Sequence, residues 1–398
     1  MKILVLSQVF PPARGGSGRW LFELYRRLTG FQVMVVAGHA PDDGPFDAAA
    51  SLRIERMNLQ FASWGVSSVR SAAQYVRAFI KLRSVLTRTR PDVIHCGKCL
   101  PEGLLAVAIK RWKGVPFVCF VHGEELTLAE ASRELRRLTR AVLRESALIV
   151  ANSQHTRKML GERWSVVPDR IAVMHPGVDT TRFTPAPRDA VARARLGWTG
   201  RRVVLTVGAL QRRKGQDMMI RALPVIRQHC PDVLYAIVGE GWERPYLESL
   251  VAELGVEHLV QFRATPADDE LIECYQQCDL FALPNRQVGW DFEGFGIVLL
   301  EAQACGKPVV AGRSGGTVET MNPSQTGELI GCDTPDDLGA TVVRLLDAAQ
   351  TRDQLGSQAR EWVCEHFDWT VLTEKARSAF ERPSVLLTDL RSIEGPIR

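Results

Sequence analysis

A repeated alternation runs through this chain and limits the folds open to it. Short, almost unbroken runs of Val, Ile and Leu are separated by longer segments with a helical period. Runs at Lys2–Phe10, Gln32–Gly38, Leu52–Asn58, Asp92–Cys96, Pro116–His122, Ala147–Asn152 and Ile171–His175 read as strands. Helices fall near 18–29, 67–89, 101–112, 130–145 and 153–163. Strands that are apolar on both faces must be covered on both faces. Helices between successive strands supply that cover, so the pattern predicts a parallel sheet.

A segment rich in Pro and polar residues, from Pro176 to Pro187, interrupts the alternation and reads as a linker. The pattern then restarts with strands at Arg202–Gly208, Leu234–Gly239, Leu259–Arg263, Leu280–Pro284, Pro308–Gly312 and Gly327–Ile330. Helices lie near 214–228, 243–254, 267–277, 296–305 and 335–348. Two more, near 351–365 and 369–381, close the periodic part, and the last fifteen or so residues read as loose. The expectation is two doubly wound α/β domains, 1–180 and 181–367. A C-terminal helix and tail, 368–398, follows, with the helix packing back on the first domain. Ligands in such sheets sit at the carboxyl ends of the strands.

A length of 398 residues with 45% hydrophobic and 24% charged residues suits two globular cores. No run of about 18 apolar residues is present, so no membrane span is expected. The first residues read as a buried strand rather than a leader, which suggests a cytoplasmic chain. Nine cysteines scattered through strand-like and helical segments read as free thiols. Cys96 and Cys99 have the spacing of a redox or zinc half-site but lack a second pair. The net charge of +5 is unevenly distributed: residues 1–180 carry +11 and residues 181–398 carry −6. The first half is therefore expected to meet something anionic.

The chemistry concentrates in Glu293-Gly294-Phe295-Gly296-Ile297-Val298-Leu299-Leu300-Glu301. A Gly-rich turn opens a helix there, so unpaired N–H groups near Phe295 and Gly296 can bind an anion. Two glutamates bracket that anion site, roughly 12 Å apart if the residues between them are mostly helical. The separation suits a nucleoside diphosphate sugar, with carboxylates accepting from hydroxyls at both ends. The same spacing also fits an ordinary capped helix with Glu301 solvated.

Glu-x7-Glu, followed by Ala-x-Ala-x-Gly-x-Pro-Val-Val-Ala and Ser314-Gly315-Gly316-Thr317-Val318-Glu319, resembles the signature of glycosyltransferase family 4. Pro12-Ala13-Arg14-Gly15-Gly16, Pro176-Gly177-Val178-Asp179, Arg212-Arg213-Lys214-Gly215 and Val238-Gly239-Glu240-Gly241 resemble other family segments in register, along essentially the whole chain. The resemblance implies the GT-B fold, two Rossmann-like domains facing a central cleft, and a retaining hexosyltransferase. It assigns the transferred sugar to Glu293 and the ribose to Glu301, and sets the amides of Phe295 and Gly296 on sugar and phosphates. Lys214 neutralises the leaving diphosphate, Gly16 permits close backbone approach to the β-phosphate, and His122 contacts the donor sugar. Catalysis thus falls to His122, Glu293 and Lys214.

One departure stands out. The family commonly has Gly-Arg-Leu after the first strand of the second domain, with the Arg on the diphosphate; here the residues are Gly208-Ala209-Leu210. Either Arg212 or Arg213 substitutes from a few residues on, or Lys214 works with less help; Arg212 is the expected substitute, because Arg213 aligns with an arginine that is frequent in the family but not catalytic. Arg263, at a strand end, is a candidate to lie near the base. The implied mechanism is front-face attack, the leaving phosphate helping to take the acceptor proton. No cofactor and no metal are expected, the Asp291-Phe292-Glu293 triplet being read as coincidence.

Residues 57–91 contain no acidic residue but carry Arg70, Arg77, Lys81, Arg83, Arg88 and Arg90 with Trp64, Val69, Tyr75, Phe79 and Leu82. A second basic segment holds Arg133, Arg136, Arg137, Arg140 and Arg144. Such segments read either as solvated faces over a core stripe or as surfaces for anionic lipid on the inner face of a membrane. No aromatic stacking platform accompanies them, so nucleic acid is not expected. Within the family the look is closest to the phosphatidylinositol mannoside mannosyltransferases. That favours GDP-mannose over a UDP-sugar as co-substrate, and a glycan or lipid-linked acceptor. A catalytically weak sugar-nucleotide-binding protein, suggested by Ala209, and an epimerase of the same shape are the rival readings.

Overall fold

The structure is a computed structural model that describes the backbone of residues 1–13 and 15–391 and side chains to residue 381. Arg14 of the first glycine-rich segment, and residues 392–398 of the expected loose tail, lie outside the described residues. The chain divides into two compact units, one formed by Met1–Pro176 together with Trp369 onward, the other by Gly177–Asp368.

The first unit is built on seven parallel strands, β1 (Lys2–Ser7), β2 (Gln32–Ala37), β3 (Arg53–Arg56), β4 (Val93–Cys96), β5 (Phe117–Val121), β6 (Leu148–Ala151) and β7 (Ile171–Val173), ordered β3-β2-β1-β4-β5-β6-β7. Helices α1 (Gly16–Tyr25), α2 (Asp43–Ala49), α3 (Val69–Thr89), α4 (Leu104–Lys113), α5 (Glu124–Glu130), α6 (Arg133–Glu145) and α7 (Gln154–Trp164) alternate with them. All the strand readings hold to within three residues at each end. The short helices α2 and α5 lack the two or three turns a periodic signal needs, so the pattern does not predict them.

The second unit opens with another unforeseen short helix, α8 (Ala190–Leu196). Its strands are β8 (Arg202–Val207), β9 (Val233–Val238), β10 (Val260–Arg263), β11 (Leu280–Leu283), β12 (Val309–Gly312) and β13 (Gly327–Ile330). They form a six-stranded parallel sheet ordered β10-β9-β8-β11-β12-β13. Its helices are α9 (Gln216–His229), α10 (Arg244–Glu253), α11 (Asp268–Gln277), α12 (Ile297–Ala304), α13 (Pro335–Asp347) and α14 (Ala349–His366). The supposed linker is not a loose tether. Val178 and Phe183 are buried in this unit's core, and Arg360 donates to the carbonyls of Thr180 and Phe183.

The last helix, α15 (Trp369–Arg391), runs ten residues past the end expected from periodicity. Trp369, Leu372, Ala376 and Phe380 join the core of the first unit with Ile3, Val5, Trp20 and Phe120. Phe380 stacks on Tyr25 at 6.5 Å and packs edge-on against His95 at 4.6 Å.

Both sheets have a point where the strand order reverses, between β1 and β4 in the first unit and between β8 and β11 in the second. Connections leave to opposite sides there, which opens a crevice beyond the carboxyl ends of the two strands. The chemistry of each unit collects at these two points.

Candidate active site

In the second unit, the segment leaving β8 forms a 3-10 turn, Arg212–Lys214, and the segment leaving β11 carries Asn285 to Glu293. Lys214 and Glu293 meet at the reversal point, with Nζ 2.5 Å from Oε2. Both are nearly buried, at 9% and 8% exposure, so this is an ion pair in a poorly screened environment. Burial alone pushes the Glu293 carboxyl up, but the adjacent Lys214 and Arg213 outweigh it and hold the carboxyl below its ordinary value.

Glu293 is held by its backbone as well. Its carbonyl accepts from Gly316 N–H at 2.9 Å, and Gly315 sits against it at φ +65°. A Cβ on Gly315 would lie 2.0 Å from that carbonyl oxygen, so only glycine permits the approach. Asn285, fully buried, ties the ends of β11 and β12 together. Its Oδ1 accepts from Gly312 N–H at 3.1 Å, and its Nδ2 donates to the Ser314 carbonyl at 3.0 Å. The Ser314–Thr317 motif therefore positions Glu293.

Gly296, at φ +96°, caps α12 in the left-handed region, so the helix starts at Ile297, with the Leu299 N–H donating to the Gly296 carbonyl and the Phe295 N–H to the Glu293 carboxylate. Only the residues from Ile297 are helical; Glu293 lies in the preceding turn, which shortens the helical stretch assumed between the two glutamates. Phe295 is buried against Phe367. Glu301 is not solvated. It is 4% exposed, and its Oε2 accepts from the Tyr275 hydroxyl at 2.7 Å. The structure thus brings Lys214, Glu293, Phe295, Gly296 and Glu301 into one unit around one helix start.

Arg212 does not join them. Its guanidinium stacks 4.2 Å over the Tyr246 ring, with Nε 3.2 Å from Glu243 and Nη1 3.6 Å from Asp217. The neighbouring Arg213 turns inward instead, 8% exposed, with Nε 3.9 Å from Glu293 Oε2 and Nη1 3.6 Å from Asp291. Arg263 closes β10 and is bonded to Glu270 and to the Leu196 carbonyl, on the far edge of the sheet from β11. Tyr275 and Asn285 were invisible to sequence reasoning, since a helical tyrosine and a strand-end asparagine carry no local signature of their partners.

In the first unit, Gly16 begins α1 and is exposed at the end of β1. His122 follows β5, and its Nε2 lies 2.7 Å from the Gly97 carbonyl, which can only accept, so Nε2 carries the proton. Burial lowers the His122 pKa, leaving a neutral ring whose Nδ1 is an acceptor. Two acids outside the sequence motifs lie here. Glu125 accepts from His122 N–H at 2.8 Å. Glu102 is fully buried, accepts from Gln8 N–H at 2.6 Å, and is pushed up to about 6 by burial. All nine cysteines are free.

Two parallel-sheet Rossmann-like domains, one with a Gly-rich helix start flanked by two buried carboxylates, define a GT-B glycosyltransferase. Residues 14–182 match the family model described as Glycosyltransferase Family 4, and residues 190–362 the one described as Glycosyl transferases group 1. A GDP-mannose-dependent alpha-(1-6)-phosphatidylinositol monomannoside mannosyltransferase of Mycolicibacterium smegmatis is 39% identical over 384 residues, covering 92% of this chain and 95% of the relative. A D-inositol 3-phosphate glycosyltransferase of Salinispora arenicola is 36% identical over 70% of this chain and 66% of the relative. Among solved structures, Anabaena Alr3699/HepE in complex with UDP and glucose superposes with a TM-score of 0.82 at 24% identity, covering 96% of this chain and 100% of that one, which speaks to the fold. The chain belongs to glycosyltransferase family 4, and it is a glycosyltransferase.

Proposed function

We propose that this enzyme transfers mannose from GDP-mannose to a phosphatidylinositol-type glycolipid, with retention of anomeric configuration. The observation that carries the site is the buried Lys214–Glu293 pair at the mouth of the α12 helix start. Breaking the anomeric bond develops positive character on the sugar and negative charge on the diphosphate. Lys214 and the amides at Phe295 and Gly296 stabilise that leaving group, and Glu293 accepts from hydroxyls of the sugar. Glu301, oriented by Tyr275, accepts from the ribose. His122, neutral with Nδ1 as acceptor, takes a further sugar hydroxyl, and Gly16 gives the β-phosphate close backbone approach. The leaving phosphate helps take the acceptor proton, and neither a cofactor nor a metal enters this scheme. The choice of mannose, guanine and lipid rests on the relatives' names.

The test is a donor screen with GDP-mannose, UDP-glucose, UDP-galactose and UDP-N-acetylglucosamine, scored for binding and for transfer to phosphatidylinositol-containing vesicles. Turnover of a UDP-sugar alone would overturn the base assignment. Release of product sugar-nucleotide isomers without acceptor would overturn transfer.

The acceptor side is read from the outer face of α3. Tyr75, Leu82, Val85 and Leu86 face the core, while Val76 and Ile80 are each 57% exposed among Arg77, Lys81 and Arg83. Trp112, 39% exposed, lies beside them between Arg83 at 4.9 Å and Lys113 at 4.5 Å. Apolar side chains ringed by cations suit an anionic bilayer, each cation contributing ~1 kcal/mol near the surface. No helix among the described residues is long and apolar enough to cross a membrane. Cosedimentation with vesicles containing phosphatidylinositol, lost at high salt and on Trp112→Ala with Ile80→Ala, is expected. Equal binding to neutral vesicles would refute the surface.

A further inference from the structure

We propose that Arg213 supplies the phosphate-pairing cation that the Gly208-Ala209-Leu210 segment lacks, its guanidinium engaging the donor diphosphate beside Lys214. The proposal rests on the reading above that this site takes a nucleoside diphosphate sugar. Ala209 is exposed on the segment leaving β8 and offers neither charge nor donor. That segment borders the cation pair, since a Cβ on Gly208 would lie 3.8 Å from Lys214 Nζ.

The 3-10 turn splits three consecutive cations, one outward and two inward. Arg212 goes to Tyr246 and Glu243, while Arg213 and Lys214 turn inward and converge on one oxygen, Glu293 Oε2, at 3.9 and 2.5 Å. Two nearly buried cations therefore share one nearly buried carboxylate. The other acid near Arg213, Asp291, is 43% exposed. The distances from Arg213 to these acids, 3.9 and 3.6 Å, exceed those of the bidentate Arg286–Asp217 pair close by, 2.7 and 2.9 Å. An anion that reaches the turn with several oxygens meets two adjacent inward-facing cations, Arg213 and Lys214, in a nearly buried setting. Arg213, whose Nη1 is bonded to Gln211, presents a planar fork suited to two phosphate oxygens, which an ammonium cannot match.

The test is calorimetry on the full-length protein with GDP and UDP, each beside its nucleoside. Arg213→Ala should weaken the diphosphate that the wild type binds by about 10- to 100-fold, leaving nucleoside affinity within about twofold. Arg213→Lys, which keeps the charge and folds if the charge is what the turn needs, should lose about 3- to 10-fold. Ala209→Arg added to Arg213→Ala should recover most of the loss, which a purely structural role for Arg213 would not allow. Unchanged diphosphate affinity in Arg213→Ala overturns the assignment. So does an equal loss for nucleoside and diphosphate without rescue, or a larger loss in Arg212→Ala. A wild-type protein that binds neither GDP nor UDP fails at the earlier step and overturns the reading of the site itself.

Discussion

Gly315→Ala isolates the backbone that positions Glu293. Gly315 has φ +65°, and Gly200 has φ +67°, so alanine meets the same left-handed backbone at both, worth roughly 1–2 kcal/mol. Their surroundings differ. Nothing lies within 4 Å of a Cβ on Gly200, whereas one on Gly315 falls 2.0 Å from the Glu293 carbonyl oxygen. Contacts of this kind do not persist below 3.0 Å, so the two segments must part by about 1 Å. That movement also weakens the 2.9 Å bond from Gly316 N–H to the same carbonyl, for about 0.5–1.5 kcal/mol more. Gly315→Ala should therefore be ~1–2 kcal/mol less stable than Gly200→Ala. For the role proposed for Glu293, a displacement of about 1 Å should lower transfer by about 10²-fold. Denaturant melts of both variants, with kcat/KM for the donor the wild type uses, measure the two effects. The same stability for both, with Gly315→Ala within threefold of wild-type turnover, would refute the argument that this glycine sets the place of Glu293.

Three further outcomes are expected. Tyr275→Phe removes the hydroxyl that orients buried Glu301, and donor affinity should fall about 5- to 10-fold, roughly the worth of one hydrogen bond; an unchanged Kd would detach Glu301 from the donor. Arg286→Ala strands Asp217, 5% exposed and bidentately paired, and should cost about 3–5 kcal/mol in a denaturant melt, while a loss under 1 kcal/mol would mean that Arg212 suffices as its partner. Glu293, held below its ordinary carboxyl value, adds stability that is complete above about pH 5 and is lost as pH falls through the folded pKa. The stability difference between wild type and Glu293→Gln should thus shrink between pH 6 and 3.5 in parallel melts, and a constant difference would contradict the shift.

Both parallel sheets were legible in the order of residues alone, because strands apolar on two faces leave no other arrangement, and so was the Gly-rich helix start with a glutamate on each side. That order did not reach the short helices α2, α5 and α8, which hold too few turns for a period to register. Nor could it say which arginine of Arg212-Arg213 faces the site. Successive residues on a 3-10 turn point about a third of a circle apart, and composition cannot tell which direction is inward. Tertiary packing decided it: Tyr246 and Glu243 of the α10 region draw Arg212 out, and Glu293, held by Gly315 and Asn285, draws Arg213 in. Strand order was likewise a tertiary matter. It is the reversal between β8 and β11 that places Lys214 against Glu293 across 79 residues of chain.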